Sequence, residues 1–305
     1  MDGVVRFVFR NAVVHGPYGV VTLGRVVVED TLLHVWAPWA GAQRDGDLWT
    51  FGAPYVARRM PTAEHLMCGN AGNYYHWLLD GMVRWCATPP GSAFGGSLPV
   101  LLSWTGAAFQ HQGPGLFPGL AARASLLGLG HAVSVDRLVW TPNLTGAGAQ
   151  FHPAIRRTAD ALRGAVRPGG ARRIYVSRRD AANRRLLNED AVEALCRAHG
   201  YSVVQLSTMA VGEQIALFAG ADRIVAPHGA GLANILVCPA GASVLELTMD
   251  ADPNPCFENL ASSLGLRWSR ILGPTDAGPD WVHHRTWTLP LDQLDAALVE
   301  RAGEG

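Results

Sequence analysis

The chain is short of charge. Asp, Glu, Lys and Arg make up 16% of it, below the usual quarter, and 25 acidic residues balance 25 basic ones to a formal net charge of +0. With no basic excess and no cationic run, it lacks the electrostatic footprint of a nucleic-acid binder. No apolar run is long enough to span a bilayer. The amino terminus interleaves Arg6 and Arg10 with Val4, Val5, Phe7, Val8 and Phe9, so the apolar stretch of a signal peptide is missing. Cysteine is also sparse. Cys68, Cys86, Cys196, Cys238 and Cys256 are odd in number and widely spaced, which fits reduced thiols in a bacterial-type cytoplasm rather than a disulfide framework and shows no zinc-ligand spacing. Neither an internal repeat nor a low-complexity segment is present. What the chain has in abundance is apolar residues, 49% of 305, enough to build two cores and more than one core usually holds.

Residues 4–9, 20–28 and 32–36 read as a short β-meander with turns at Gly16-Pro17 and Glu29-Asp30. Residues 64–85 read as a loop and a helix, 98–103 as a central strand, 121–129 as a helix ended by Gly130, and 137–140 as a strand. The Gly- and Pro-rich stretch 141–153 marks a boundary, giving a first domain over 1–150 and a second over 151–285 that begins with a helix at 154–166. From Arg173 the pattern alternates strand and helix through Leu247, which predicts a parallel sheet covered on both faces.

The most telling stretch is Ala226-Pro227-His228-Gly229-Ala230-Gly231-Leu232-Ala233-Asn234, joining a strand-like run to an apolar helix. Small residues there would let a phosphate approach the main chain at the positive end of a helix. Upstream, Arg173-Ile174-Tyr175-Val176 is a β-type run that delivers Ser177, Arg178 and Arg179 to the same rim, since open α/β sheets present ligand groups at strand carboxyl ends. A guanidinium donates a bidentate fork suited to a diphosphate. In the buried-strand pattern 242–247, Glu246 is placed to accept from ribose hydroxyls. Against each stands a plainer reading: a ligand-free turn, a solvated basic loop, a satisfied structural acid.

These segments, YVSR, then Asn188-Glu189-Asp190, then APHGAGLANILVCPAGASVLEL, resemble the carboxyl-terminal half of glycosyltransferase family 61, whose members transfer sugars such as xylose, arabinose or N-acetylglucosamine. Gly72-Asn73-Tyr74-Tyr75-His76-Trp77-Leu78-Leu79-Asp80 resembles the Asn-x-x-His-aromatic motif of its amino-terminal half. The resemblance, to bacterial-type members acting on cell-surface glycans, runs over roughly residues 60 to 250, through motifs that are weak singly and specific in order. It implies two Rossmann-like domains facing across a cleft (GT-B type), inverting chemistry and no obligatory metal or other cofactor. The amphipathic run 291–301, within a last segment 286–305, is expected to pack back on the first domain as in such folds.

Transfer needs a base for the acceptor hydroxyl. Asn73, His76 and Asp80 share one helical face. Imidazole, with an ordinary pKa of about 6.5, suits the task, with Asp80 orienting it; equally, Asp80 is the base and His76 the positioning group. The plainer alternative is a histidine buried for packing under Trp77 and Trp85. His65, after Glu64, is a further, lesser candidate. Asp250-Ala251-Asp252 has the spacing of a metal-binding pair, though Pro253-Asn254-Pro255 reads as a turn. Trp77, Trp85, Trp104 and Trp268 read as core before they read as sugar platforms.

The resulting expectation is a cytoplasmic, inverting, metal-independent glycosyltransferase taking a UDP-sugar and a hydroxyl of a glycan or lipid-linked saccharide, with peripheral membrane contact open and no transmembrane segment. His76 and Asp80 would be catalytic and Asn73 on the acceptor side. Ser177, Arg178, His228, Gly229, Ala230, Gly231 and Glu246 would bind the donor. The alternative is a non-catalytic nucleotide-sugar-binding module of a polysaccharide-assembly complex. A Rossmann-type oxidoreductase is disfavoured, because the Gly loop falls late in the sheet and lacks the early Gly-x-Gly-x-x-Gly fingerprint.

Overall fold

The computed structural model describes residues 3–32, 42–46, 48–51, 55–87, 97–146 and 150–303. They form two compact units, one comprising Met1–Gly146 and Phe151–Ala165, the other Ala147–Gln150 and Val166–Gly305.

The first unit contains strands β1 (Phe7–His15), β2 (Val20–Leu23), β3 (Val26–Val27), β4 (Ala42–Asp45), β5 (Leu48–Phe51), β6 (Tyr55–His65), β7 (Val100–Ser103), β8 (Ala124–Leu127) and β9 (His131–Trp140). Seven of them make a mixed sheet in the order β3-β2-β1-β9-β6-β7-β8, while β4 and β5 pair separately. The β1–β3 meander is antiparallel and joins the sheet through β9; β9, β6, β7 and β8 run parallel. Alternate apolar side chains such as Ala12, Val14, Val133 and Val135 line its core. Two sequence expectations change here, and a third is not tested. Residues 121–129, expected to be a helix, contain β8, because a short apolar run cannot distinguish helix from buried strand by periodicity. The central strand β6 went unread, with Pro61 and the charged Arg58, Arg59 and Glu64 masking it. The third meander strand lies mostly outside the described residues.

Helices of this unit are α1 (Tyr74–His76), continuing as a π-helical segment Trp77–Met82 into α2 (Val83–Cys86), then α3 (Ala108–Gln112) and α4 (Ala154–Ala165). α4, read from sequence as the opening helix of the second domain, sits with the first unit, where Arg157 Nε donates to the Cys86 carbonyl at 3.1 Å.

The second unit is a five-stranded parallel sheet of β10 (Arg173–Val176), β11 (Ser202–Val204), β12 (Arg223–Pro227), β13 (Ser243–Met249) and β14 (Arg267–Gly273). Its order is β11-β10-β12-β13-β14, with α5 (Glu189–Ala198), α6 (Val211–Gly220) and α7 (Cys256–Leu264) among its connections. This is the doubly wound 2-1-3-4-5 order, in which the chain reverses direction of travel between β10 and β12 and opens a crevice at their carboxyl ends. Every residue of β12 and β13 is buried, the mark of parallel strands covered on both faces. Fully burying a Val, Leu or Ile stabilises by about 1.5–3 kcal/mol each, so Ile224, Val225, Leu245 and Leu247 fix the strands that carry the site.

The last helix, α8 (Leu291–Gly303), expected against the first domain, belongs to the second unit. Leu294 and Leu298 enter the core formed by Tyr175, Val192 and Leu245 within the second unit. The preceding residue run is tied down by Asn188, whose side chain both donates to the Leu289 carbonyl and accepts from its N–H. An amphipathic pattern states that a helix has an apolar face, not which core receives it. The five cysteines form no disulfide, and no helix among the described residues is long and apolar enough to cross a membrane.

Candidate functional site

At the β10/β12 crevice, Arg178 follows β10 and Gly229 follows β12. The Arg178 guanidinium lies so close over Gly229 that a Cβ built there would stand 1.6 Å from Nη1. The Gly229 backbone itself is extended (φ 168°), so the glycine is required by this contact and not by its dihedrals. Arg178 Nη2 donates to the Asn183 carbonyl at 3.3 Å, and Nε is buried without a hydrogen-bond partner. Burial, and next the charge of Arg184, push the Arg178 pKa down to about 10, which leaves it charged at neutral pH.

Glu189, at the start of α5, holds this loop. Its Oε1 accepts from Tyr175 Oη (3.1 Å), Ser177 Oγ (3.2 Å) and the Arg178 N–H (2.6 Å). The Ser177 hydroxyl, expected to meet a phosphate, thus donates within the protein. Arg179 is fixed by Glu193 at 2.6 Å and by Asp190. Beside the loop lies an open cleft of about 210 Å³ lined by Arg178, Arg179, Arg185 and Glu189 among others.

His228 is buried, with Nδ1 2.5 Å from Glu246 Oε1 and its ring edge-on to Phe257. Glu246, expected at a ribose, is 0% exposed, and its Oε2 accepts from Arg270 Nη2 (3.1 Å), Arg270 Nε (3.3 Å) and Trp268 Nε1 (3.2 Å). Both oxygens are therefore committed to neighbours, and the carboxylate orients His228 instead of facing a ligand. With Nδ1 donating to the carboxylate, Nε2 is the ring nitrogen outside that contact. Ala230 opens a 3-10 helix, Ala230–Val237, where an α-helix was expected. Gly231 makes room for packing: a Cβ there would lie 2.7 Å from Leu206 Cδ1.

A further group gathers around Arg184, beside Asp252 of the acidic pair. Arg184 takes a left-handed φ of 55°, a conformation that costs a residue with a side chain roughly 1–3 kcal/mol. It is held by its N–H to the His283 carbonyl (2.8 Å) and by Trp287 Nε1 to its own carbonyl (2.9 Å). Its Nε is buried without a hydrogen-bond partner, and Nη1 lies 3.5 Å from Asp252 Oδ2. His283 Nε2 meets the same oxygen at 3.1 Å. Burial and the Arg184 charge push His283 below its ordinary pKa, partly offset by Asp252. Asp250, the other half of the acidic pair, accepts at Oδ1 from the Thr275 N–H (3.0 Å) and hydroxyl (2.6 Å). Arginines in a loop carry no periodic signal, and Trp268, Arg270 and His283 lie far along the chain from His228, so only the fold brings them together.

In the first unit His76 Nδ1 lies 2.6 Å from Asp80 Oδ2, with side chains 28% and 8% exposed. The partnership read from the four-residue spacing is present, across the junction with the π-helical segment, a rare form often found at functional sites. Asn73 caps α1, accepting from the Tyr75 N–H at 2.9 Å. Asp80 also lines a cavity of about 40 Å³ with His65, Cys68 and Arg84. His65 is buried, with Nε2 2.6 Å from the Gly19 carbonyl oxygen. Of the tryptophans, Trp77 is buried against Tyr74 and Phe109, and Trp268 serves Glu246.

The two motifs fall in a region with a family signature: the model of glycosyltransferase 61 matches residues 74–245, more than half of the chain. The chain belongs to glycosyltransferase family 61. Among curated proteins it is similar to the EGF domain-specific O-linked N-acetylglucosamine transferase of Drosophila melanogaster, 35% identical over 118 residues, which cover 36% of this chain and 22% of that protein. The chain thus spans about a fifth of that relative's length. His76, Asp80, Ser177, Arg178 and His228 to Gly231 lie inside the family match; Asn73, Glu246, Asp252, Arg270 and His283 lie outside it.

Proposed function

We propose that the chain transfers a glycosyl group, with inversion, from a UDP-sugar to a hydroxyl of a glycan or lipid-linked saccharide in the cytoplasm. The observation that carries the reading is the Arg178 guanidinium seated on Gly229 at the β10/β12 crevice, with a buried Nε still lacking an acceptor. A diphosphate supplies such acceptors, and a preorganised cation beside it stabilises the negative charge that develops as the leaving group departs. Arg184 adds a second guanidinium close enough to depress the first one's pKa. His228, held through Nδ1–H by Glu246, donates from Nε2 to the same anion in its imidazolium form. These groups perform the neutralisation that a divalent ion performs elsewhere, so the reaction is assigned no metal.

The acceptor oxygen attacks the anomeric carbon, a C–O bond forms, and the bond from that carbon to the diphosphate oxygen breaks. The acceptor's proton goes to Nε2 of His76, whose Nδ1–H donates to Asp80. Asn73 fixes the helix turn that presents His76. The relative's name states transfer of N-acetylglucosamine, so UDP-N-acetylglucosamine heads the donor panel.

Thermal-shift measurements with nucleoside diphosphates and nucleotide sugars are the first test, since a ligand of the native state alone raises Tm. A rise with UDP and its sugars, followed by sugar transfer that survives EDTA, supports the proposal. No shift with any of them would overturn the donor site; loss of transfer in EDTA that Mg²⁺ or Mn²⁺ restores would overturn the metal-free mechanism.

A further inference from the structure

Glu246 commits both oxygens to His228, Arg270 and Trp268, so it offers none to a sugar hydroxyl. Asp252 stands six positions further on, just past the carboxyl end of β13. Strand β13 lies beside and parallel to β12, with Leu247 opposite Pro227, so this end opens on the rim that carries His228. A tight turn fixes the residue: the Asp252 N–H donates to the Met249 carbonyl, and its own carbonyl accepts from Thr248 Oγ1 and the Asn254 N–H. Arg184 and His283 both approach Oδ2, at 3.5 and 3.1 Å. Among the described residues Oδ1 has no partner, and the side chain is 18% exposed. A carboxylate held through one oxygen beside a cationic cradle repels a phosphate from the other and suits a neutral donor.

We propose that Asp252 Oδ1 accepts a hydrogen bond from a hydroxyl of a sugar ring attached to the bound diphosphate, with Arg184 and His283 positioning it. The inference rests on the donor reading above. A ribose and a transferred hexosyl group both offer that hydroxyl, and their affinities separate the two sources. An acid of this kind at a strand's carboxyl end is where nucleotide-binding sheets engage a ribose. A charge-assisted hydrogen bond of this type corresponds to about a tenfold change in affinity or more.

Calorimetric titration of the intact chain and Asp252→Asn with UDP, 2′-deoxy-UDP, 3′-deoxy-UDP, UDP-N-acetylglucosamine and inorganic pyrophosphate tests it. If the ribose is the source, Asp252→Asn loses about tenfold of the preference for UDP over one deoxy analogue; if the hexosyl group is, it loses the advantage of the nucleotide sugar over UDP. Pyrophosphate affinity stays level or rises in either case. A uniform loss across all five ligands would reduce Asp252 to a support for Arg184 and overturn the proposal, as would unchanged preferences. His283→Asn, which leaves the carboxylate in place and loosens it, should produce a smaller shift of the same kind and decides the matter if Asp252→Asn melts early. If the unaltered chain binds pyrophosphate but no nucleotide, or binds nothing, the donor reading itself fails and takes this inference with it.

Discussion

Arg178 and Gly229 are mutually exclusive of any side chain between them: the guanidinium occupies the volume that a Cβ on residue 229 would fill. One residue follows β10 and the other follows β12, so their contact marks the point where the doubly wound sheet changes direction. The smallest residue of the motif is there to admit the largest cation of its neighbour.

A methyl group should therefore act like the loss of the cation. Gly229→Ala forces Arg178 off the rim, and we expect it to weaken UDP binding about tenfold, as Arg178→Ala does by removing charge-assisted hydrogen bonds. Combining the two should cost little more than either alone, since each destroys the same interaction. Calorimetry on the three variants checks this; additive losses would mean that Gly229 serves the ligand directly and Arg178 independently.

Glu246→Gln should lower stability more than activity-site substitutions usually do. It strips the counter-charge from Arg270, whose side chain is 13% exposed, and the orienting carboxylate from His228. Removing one partner of a buried pair costs about 3–5 kcal/mol. Chemical denaturation is the measurement, and a change under 1 kcal/mol would show that the network is slack.

The second unit was the more readable half of the chain. Its strands are continuous apolar runs punctuated by loops, and the residues at their ends, Ser177, Arg178 and His228, could be assigned to one rim from order alone. Glu246 could not be placed correctly, because burial on a strand says nothing about which polar groups the neighbouring strand supplies. Trp268 and Arg270 on β14 supply them, and β14 lies beside β13 only in the folded sheet. In the first unit β6 was hidden by charge and by Pro61, and with it the cavity behind Asp80. The His76–Asp80 contact was legible because a helix converts a spacing of four into proximity, and the π-helical turn that follows left that spacing usable.

His65 should make the chain acid-sensitive. An unfolded histidine titrates near 6.5, whereas burial, with the Arg84 charge next, pushes His65 down to about 4. The unfolded chain thus takes up this proton first. The contribution to stability is intact above pH 6.5, falls as pH drops from 6.5 to 4, and changes no further below that. The loss amounts to about 3 kcal/mol over the interval. Denaturation curves of the parent and His65→Gln across this range isolate the effect: the difference between them should shrink as pH falls, and a difference independent of pH would show that His65 is not held neutral by the fold.

The remaining prediction concerns which member of the His76–Asp80 pair takes the proton. Asp80 is the more buried of the two and is turned toward Nδ1, while the imidazole keeps the greater exposure, so the geometry favours His76 as the base and Asp80 as the positioning residue. His76→Ala should then lower kcat on the order of a hundredfold or more with UDP affinity nearly unchanged, because a base acts in the transition state and not on the nucleotide. Asp80→Asn should cost less and shift the pH profile of kcat, since the imidazole remains but loses its anionic partner. Steady-state kinetics against pH, alongside calorimetry with UDP, supply both readouts. Activity abolished in Asp80→Asn and only impaired in His76→Ala would transfer the role to the carboxylate, and loss of folding in both would make the pair a packing contact of the first unit.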